Sequence, residues 1–376
     1  MPIPYGRQSI DEADVRAVAD VLRSDRLTQG PAVAAFEAAF AAACDAPYAV
    51  AFSSGTAGLH AACHAAGVGP GDAVVTSAIT FAASANCAAY LGATPRYADI
   101  ERTTWNVSAR TVAAAAEGAR AVIPVHFAGL PVDVAGLRAA LGDDVAIIED
   151  AAHAAGAASP DGPVGSCRHS DMAVFSFHPV KAITTGEGGM VTTRDPELRD
   201  KLAAFRTHGL AATPLSDEEP WLRGQQELGF NYRLTDIQSA LGRSQLGRLD
   251  AFVARRNAIA GRYREALADA AALELPPAAP GGWRHAYHLF VVRHREGAAA
   301  RRTLYERLIA RGVLVQVHYV PVYRHPWHAA TYGDRAGSCP EAERYYAGCL
   351  SLPCFPAMTD AEQDTVIDEV RAAVGA

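Results

Sequence analysis

Phe175-Ser176-Phe177-His178-Pro179-Val180-Lys181-Ala182-Ile183-Thr184-Thr185-Gly186-Glu187-Gly188-Gly189 joins two apolar runs, Met172 to Phe175 and Met190 to Thr193. Each run reads as a buried strand. Burial disfavours the ammonium form, so a lysine held between core strands tends toward a neutral, nucleophilic amine. Such an amine can form a Schiff base with an aldehyde cofactor. The alternative is an ordinary surface lysine on a strand-connecting loop, and the rest of the chain has to decide between the two.

Working outward, Tyr48 to Phe52 is a short apolar run that enters Ser53-Ser54-Gly55-Thr56 and then a helix through about Ala66. Free backbone N–H groups, the positive end of the helix dipole and two or three hydroxyls converge at such a turn. It suits an anion such as phosphate; a plain Ser or Thr N-cap is the other use. No GK[ST] follows, so this is not a Walker loop. Asp150 ends the apolar run Val145-Ala146-Ile147-Ile148 and is followed by Ala151-Ala152-His153. A carboxylate at a buried strand end needs a cation or hydrogen-bond donors. Capping the next segment would satisfy it. So would pairing with a protonated ring nitrogen, worth about 4 kcal/mol at 4 Å and an effective dielectric of 20, before desolvation.

Strands at 73–76, 95–97, 121–125 and 145–149 alternate with helices at 81–91 and 132–141, which implies an α/β fold with a mostly parallel sheet. Ligands bind beyond the carboxyl ends of such strands. Ser54, Asp150 and Lys181 all lie at or just past predicted strand ends, so the sheet can gather them. Ser9-Ile10-Asp11-Glu12 reads as a capping box opening a helix over about 10–23, with Val15, Val18, Val21 and Leu22 at helical spacing. A second helix spans about 31–44. Later come a helix at 196–205, a polar, mobile loop at 211–227 and a long helix over about 235–265. A Pro/Gly-rich connection at 276–282 precedes strands at 287–292 and 313–317 and helices at 301–309, 339–349 and 359–373. The expected division is a large domain over 1–250 and a smaller α/β domain over 251–376, with the N-terminal segment free to pack on the second.

Composition bounds the function. A chain of 376 residues is long enough for two domains. A net charge of -7 and no basic tract argue against nucleic-acid binding. No apolar stretch is long enough to span a bilayer and no signal peptide is visible at the start. Seven cysteines without paired spacing read as free thiols in a reducing, cytoplasmic setting. Cys167-Arg168-His169 has no second ligand pair beside it, so no metal site is expected.

Four segments now act together: Ser54-Gly55-Thr56, Glu149-Asp150-Ala151-Ala152-His153, the lysine stretch and Gly229-Phe230-Asn231-Tyr232-Arg233-Leu234-Thr235-Asp236-Ile237-Gln238. In this order they resemble the DegT/DnrJ/EryC1/StrS sugar aminotransferases, which are fold-type I pyridoxal-phosphate enzymes. The resemblance covers nearly the whole chain. It implies a large domain with a mainly parallel seven-stranded sheet and a smaller C-terminal domain. Leu27-Thr28-Gln29-Gly30, Phe205-Arg206-Thr207-His208-Gly209, Gln316-Val317-His318-Tyr319 and Ser351-Leu352-Pro353-Cys354 extend it toward the pseudaminic acid branch of the family.

By that resemblance, Lys181 carries pyridoxal 5'-phosphate as a Schiff base and then moves a proton between donor and cofactor. Asp150 keeps the pyridine nitrogen protonated, His153 meets the phenolic oxygen, and Phe81 stacks on the ring. Ser54, Gly55, Thr56 and Ser176 hold the phosphate, and Asn231 reaches it from the neighbouring subunit of a homodimer. Tyr5, Arg26, Leu27, Thr28, Gln316, Val317, His318 and Tyr319 are the implied substrate contacts. The implied reaction moves an amino group from L-glutamate to C4 of a UDP-4-keto-6-deoxy-N-acetylhexosamine. Another nucleotide-activated keto-sugar, carrying dTDP or GDP, or a keto-cyclitol is the alternative. Related sugar dehydratases carry histidine where this chain has Lys181, and a non-enzymatic relative would be expected to lose Lys181 or Asp150.

Overall fold

The structure is a computed structural model that describes residues 2–211 and 213–376; Met1 and Ala212, at the start of the chain and in the polar loop, lie outside the described residues. The chain opens with α1 (Glu12–Leu22) and α2 (Pro31–Ala43). It continues through β1 (Tyr48–Phe52), α3 (Gly55–Ala65), β2 (Ala73–Ser77), α4 (Ala83–Tyr90), β3 (Thr94–Ala98), α5 (Ala109–Ala113), β4 (Ala121–Ile123), α6 (Val134–Leu141) and β5 (Ala146–Asp150). A small ribbon, β6 (Ala158–Ser159) and β7 (Gly162–Pro163), precedes β8 (Met172–Ser176), β9 (Gly189–Thr193) and α7 (Pro196–Arg206). Next come α8 (Asp236–Leu246), α9 (Leu249–Ala266), β10 (Leu273–Glu274), β11 (Phe290–His294), α10 (Ala298–Ala310) and α11 (Pro326–Tyr332). The chain ends with α12 (Pro340–Gly348), β12 (Cys349–Leu352) and α13 (Asp360–Val374).

Seven strands form the central sheet in the order β1-β9-β8-β5-β4-β2-β3. Every neighbouring pair from β8 to β3 runs parallel, whereas β9 is antiparallel to both β1 and β8. All inner strands carry near-continuous apolar runs because helices cover both faces. The carboxyl ends of β1, β2, β5 and β8 therefore open on one side of the sheet. Because β9 runs the other way, its first residue, Gly189, sits there too, paired with Phe52 and Ser176. A second, antiparallel sheet, β10-β11-β12, anchors its own core of Tyr263, Phe290, Leu308 and Val366. Ile3 joins that core, and its backbone exchanges bonds with Gly312 and Leu314 at 2.8 Å each.

Four local readings change. The cap of α1 is Asp11, not Ser9: Asp11 Oδ1 accepts from the amides of Ala13 and Asp14, and Asp14 Oδ2 accepts the Asp11 amide in return. Asp14 is the buried residue of α1, held by Arg248 and by Gln245 at 2.6 Å, while Val15 and Leu22 point to solvent. The polar contacts of Asp14 thus dock α1 together with half-buried Val18 and Val21 on the same face. The helix expected over 235–265 breaks at Gly247–Arg248 into α8 and α9; Leu246 and the start of α9 (Leu249, Phe252, Val253) share one core, and the later turns of α9 (Ile259, Ala260, Tyr263) enter the core of the second sheet. Residues 313–317 make two single bridges with different partners, Val313 to Ile3 and Gln316 to Ser351, and no strand. The loop after α7 is paired rather than loose: Leu210 bridges Gln225, and the Leu215 amide donates to Leu222 at 2.9 Å, leaving Trp221 exposed.

Candidate active site

The strand ends surround a cavity of about 390 Å³. At β1, Ser54 takes an extended backbone and its Oγ accepts the Ala57 amide at 3.1 Å, which starts α3. The amides of Gly55 and Thr56, in the first turn, have no intrahelical acceptor and lie at the positive end of the dipole. A Cβ on Gly55 would sit 3.0 Å from the Cβ of Ser176, so a larger residue would crowd this approach of β8 to α3. Ser176 completes the cradle with a hydroxyl that, among the described residues, only accepts the His178 amide at 3.5 Å, leaving its proton available to donate.

Asp150 closes β5 on the opposite wall. Its Oδ1 accepts the Ala152 amide at 3.1 Å and its Oδ2 accepts the Ser84 hydroxyl at 2.6 Å. The lysine loop is pinned by Phe177, whose carbonyl accepts the Thr185 amide at 3.0 Å and the Thr184 hydroxyl at 2.9 Å. This turns Lys181 into the cavity. Burial lowers its amine to about 8, with Arg256 adding to the fall and Asp150 opposing it. His153 Nε2 lies 3.1 Å from the Tyr319 hydroxyl, and its buried Nδ1 has no partner among the described residues. Burial, then the Lys181 charge, hold His153 well below its ordinary range, so the ring is neutral. Burial and Lys181 likewise lower His318 to about 3, while burial and Asp150 push the Tyr319 phenol up.

The cavity brings together Tyr5, Ser54, Gly55, Thr56, Phe81, Asp150, His153, Ser176, Lys181, His318 and Tyr319. Arg26, Leu27 and Thr28 are exposed and off its lining; Thr28 bridges Thr235 instead. Gln316 is exposed, Val317 packs between two cores, and neither lines the cavity. Asn231 is exposed and off this chain's cavity; its backbone bridges Thr207. The sequence reading missed Thr80, Ser84, Glu187 and Arg256. Thr80 follows β2, so the strand-end rule that found Asp150 also reaches it. It passed over a further signal: the chain has two lysines, and the other, Lys201, is exposed on α7.

These residues fit pyridoxal 5'-phosphate. The α3 amides and Ser176 match a phosphate, Asp150 a ring nitrogen, the orphaned His153 Nδ1 a ring oxygen, the exposed Phe81 face a ring, and Lys181 an aldehyde. A Cβ on Gly189 would fall 2.5 Å from the Ser54 carbonyl oxygen and 2.7 Å from the Gly55 nitrogen. Gly189→Ala is therefore expected to displace the cradle backbone, weakening cofactor binding about tenfold and costing about 1–3 kcal/mol of stability. Equilibrium dialysis with the cofactor and a denaturant titration measure both. Unchanged cofactor affinity would place the phosphate elsewhere.

The model of the DegT/DnrJ/EryC1/StrS aminotransferase family matches residues 8–371. The Bacillus subtilis spore coat polysaccharide biosynthesis protein SpsC is 38% identical over 98% of this chain and 96% of its own. Among solved structures, the aminotransferase TlmJ from Streptoalloteichus hindustanus superposes with a TM-score of 0.89 at 32% identity, covering 99% of both chains. Helicobacter pylori PseC, described as an aminotransferase involved in the biosynthesis of pseudoaminic acid, gives 0.91 at 28% identity, covering 100% of both.

Proposed function

The chain belongs to the DegT/DnrJ/EryC1/StrS aminotransferase family, and from that premise we propose that it moves an amino group from L-glutamate to C4 of a UDP-4-keto-6-deoxy-N-acetylhexosamine, as in pseudaminic acid biosynthesis. It is a sugar aminotransferase, and pyridoxal phosphate is its cofactor. The observation that carries the reaction is Lys181 facing Asp150 and His153 across one cavity. The full-length likeness to the H. pylori protein supports the acceptor.

Pyridoxal phosphate, when bound, supplies the electron sink. Lys181 Nζ would hold its aldehyde carbon and, once free, would be placed to take the proton from the donor Cα. At pH 7.5 an amine of pKa about 8 is about one quarter neutral, against about one part in a thousand at its ordinary 10.5. Asp150 keeps a proton on the ring nitrogen. His153, neutral, accepts or donates at the ring oxygen through Nδ1 while Tyr319 fixes its other nitrogen. Phe81, 61% exposed at the cavity, covers one ring face. Tyr5, His318 and Tyr319 line the sugar side. Asn231, exposed and turned from its own cavity, supports a homodimer in which it serves the neighbouring subunit. Seven free, buried thiols suit a cytoplasmic setting.

The test is a panel of UDP-, dTDP- and GDP-linked 4-keto sugars with L-glutamate, followed by assignment of the C4 configuration of the product. Turnover is expected to be highest with the UDP-linked N-acetyl sugar. Turnover of a dTDP-linked sugar, with none of the UDP-linked one, would sink the pseudaminic reading. SpsC, at 38% identity, favours surface-polysaccharide sugars as the second reading.

A further inference from the structure

Two buried hydroxyls support Asp150: Ser84 behind it, and Thr80, which also borders the cavity. The Ser84 hydroxyl lies 2.6 Å from Asp150 Oδ2 and 3.3 Å from the Phe81 carbonyl. It has one proton, and the shorter, charge-assisted contact takes it. The Ser84 oxygen is then an acceptor for the Thr80 hydroxyl, 2.7 Å away. Donor direction is thereby fixed along the chain: Thr80 to Ser84, Ser84 to Asp150. Ser84 is fully buried and Thr80 is 1% exposed, so water does not compete for these bonds. Ser84 is absent from the cavity lining and touches the cofactor site only through Asp150.

We propose that Ser84, backed by Thr80, is a positioning residue that decides where the proton shared by Asp150 and the cofactor's ring nitrogen rests. Bonds donated to the charged form of a carboxylate favour that form. With Ser84 on Oδ2 and the Ala152 amide on Oδ1, Asp150 has both oxygens engaged and its plane fixed. The shared proton then stays on the ring nitrogen, where it deepens the electron sink. Without Ser84 the carboxylate gains basicity and rotational freedom, and the proton moves toward Asp150. The device is compact. The turn that opens α4 presents Phe81 to the cavity and, three residues later, Ser84 to the carboxylate behind it.

The inference rests on Asp150 facing the ring nitrogen, so Asp150→Asn is run beside it. Holoenzyme is reconstituted with pyridoxal phosphate carrying ¹⁵N in the ring, and the nitrogen shift is read by NMR together with kcat and KM. Ser84→Ala is expected to move the shift toward the unprotonated value and to lower kcat about ten- to hundredfold, with KM changed less than about threefold. Ser84→Thr restores both. Thr80→Val, which removes the upstream donor, moves both in the same direction by less, and carries the measurement if Ser84→Ala does not fold. A wild-type shift and kcat in Ser84→Ala, or in Thr80→Val in its place, while Asp150→Asn moves the shift, overturns this inference alone. A shift that Asp150→Asn leaves unmoved overturns the placement of Asp150 as well.

Discussion

Replacing Lys181 by alanine is expected to lower kcat/KM at least about 10⁴-fold, because proton transfer by a positioned base contributes about 10²–10⁴ and the covalent hold on the cofactor is lost with it. The fold should survive. Lys181 is half-buried, its Nζ makes no hydrogen bond among the described residues, and its loop is pinned by Thr184 and Thr185 rather than by the amine. Borohydride reduction of the loaded protein followed by peptide mapping gives a second readout. With two lysines in the chain, modification is expected at Lys181 and absent from exposed Lys201. Lys181→Ala should bind the cofactor reversibly and lose it on dialysis, whereas Lys201→Ala should behave as wild type. Turnover within tenfold of wild type in Lys181→Ala would remove the aminotransferase chemistry from this lysine. pH adds an independent check. In the cofactor-free protein the neutral amine is the nucleophile, so its rate of Schiff-base formation with added pyridoxal phosphate should rise with pH up to about 8, the value to which burial lowers this lysine, and a limb near 10.5 would show an unperturbed surface amine.

Sequence position carried the frame of the candidate site because its residues sit at strand ends. An apolar run followed by a small or polar residue marks where β1, β5 and β8 stop, and Ser54, Asp150 and Lys181 fall there. What escaped was whatever depends on the third dimension. Nothing in Ala83-Ser84-Ala85 separates a serine under a catalytic carboxylate from any helical serine; the 2.6 Å contact spans 66 residues. Helical spacing found α1 and its half-buried Val18 and Val21 but counted exposed Val15 and Leu22 with them, and it cannot see that Asp14, on the same face as Val18 and Val21, meets Arg248 over a separation of 234 residues. The break at Gly247–Arg248 was hidden because Leu246 and Leu249 fit one continuous helical stripe and pack on the same core from either side of it. Asn231 was recognised by its motif, yet its single-chain position gives it no contact with the cavity.

Arg256 is the largest feature that no pattern announced, and Arg256→Met should cost about 3–5 kcal/mol of folding stability. Its guanidinium is 1% exposed and has no carboxylate partner among the described residues. Instead Nη1 donates to the carbonyls of Tyr287, His288 and Cys354 at 3.3, 3.0 and 2.5 Å, and Nη2 reaches the Val180 carbonyl at 3.5 Å. Replacing a buried ion pair by apolar residues of equal volume is often harmless, because both charges leave together. Here the acceptors are backbone. A methionine fills the volume but strands four carbonyls in the core, each at about 1–3 kcal/mol before relaxation and water entry. Arg256→Lys keeps the charge yet cannot span the fork, so an intermediate loss is expected. The same substitution reaches the chemistry. Val180 precedes Lys181, and the Arg256 charge helps lower the lysine amine. Removing a positive charge favours the protonated lysine, so the rising limb of the Schiff-base formation rate should move to higher pH in Arg256→Met while Arg256→Lys leaves it nearer its original place. Urea titrations and pH profiles of cofactor uptake, both on the cofactor-free protein, measure the two effects separately. A loss below about 1 kcal/mol together with an unmoved limb would mean that the carbonyls find other donors and that the charge is not felt at Nζ.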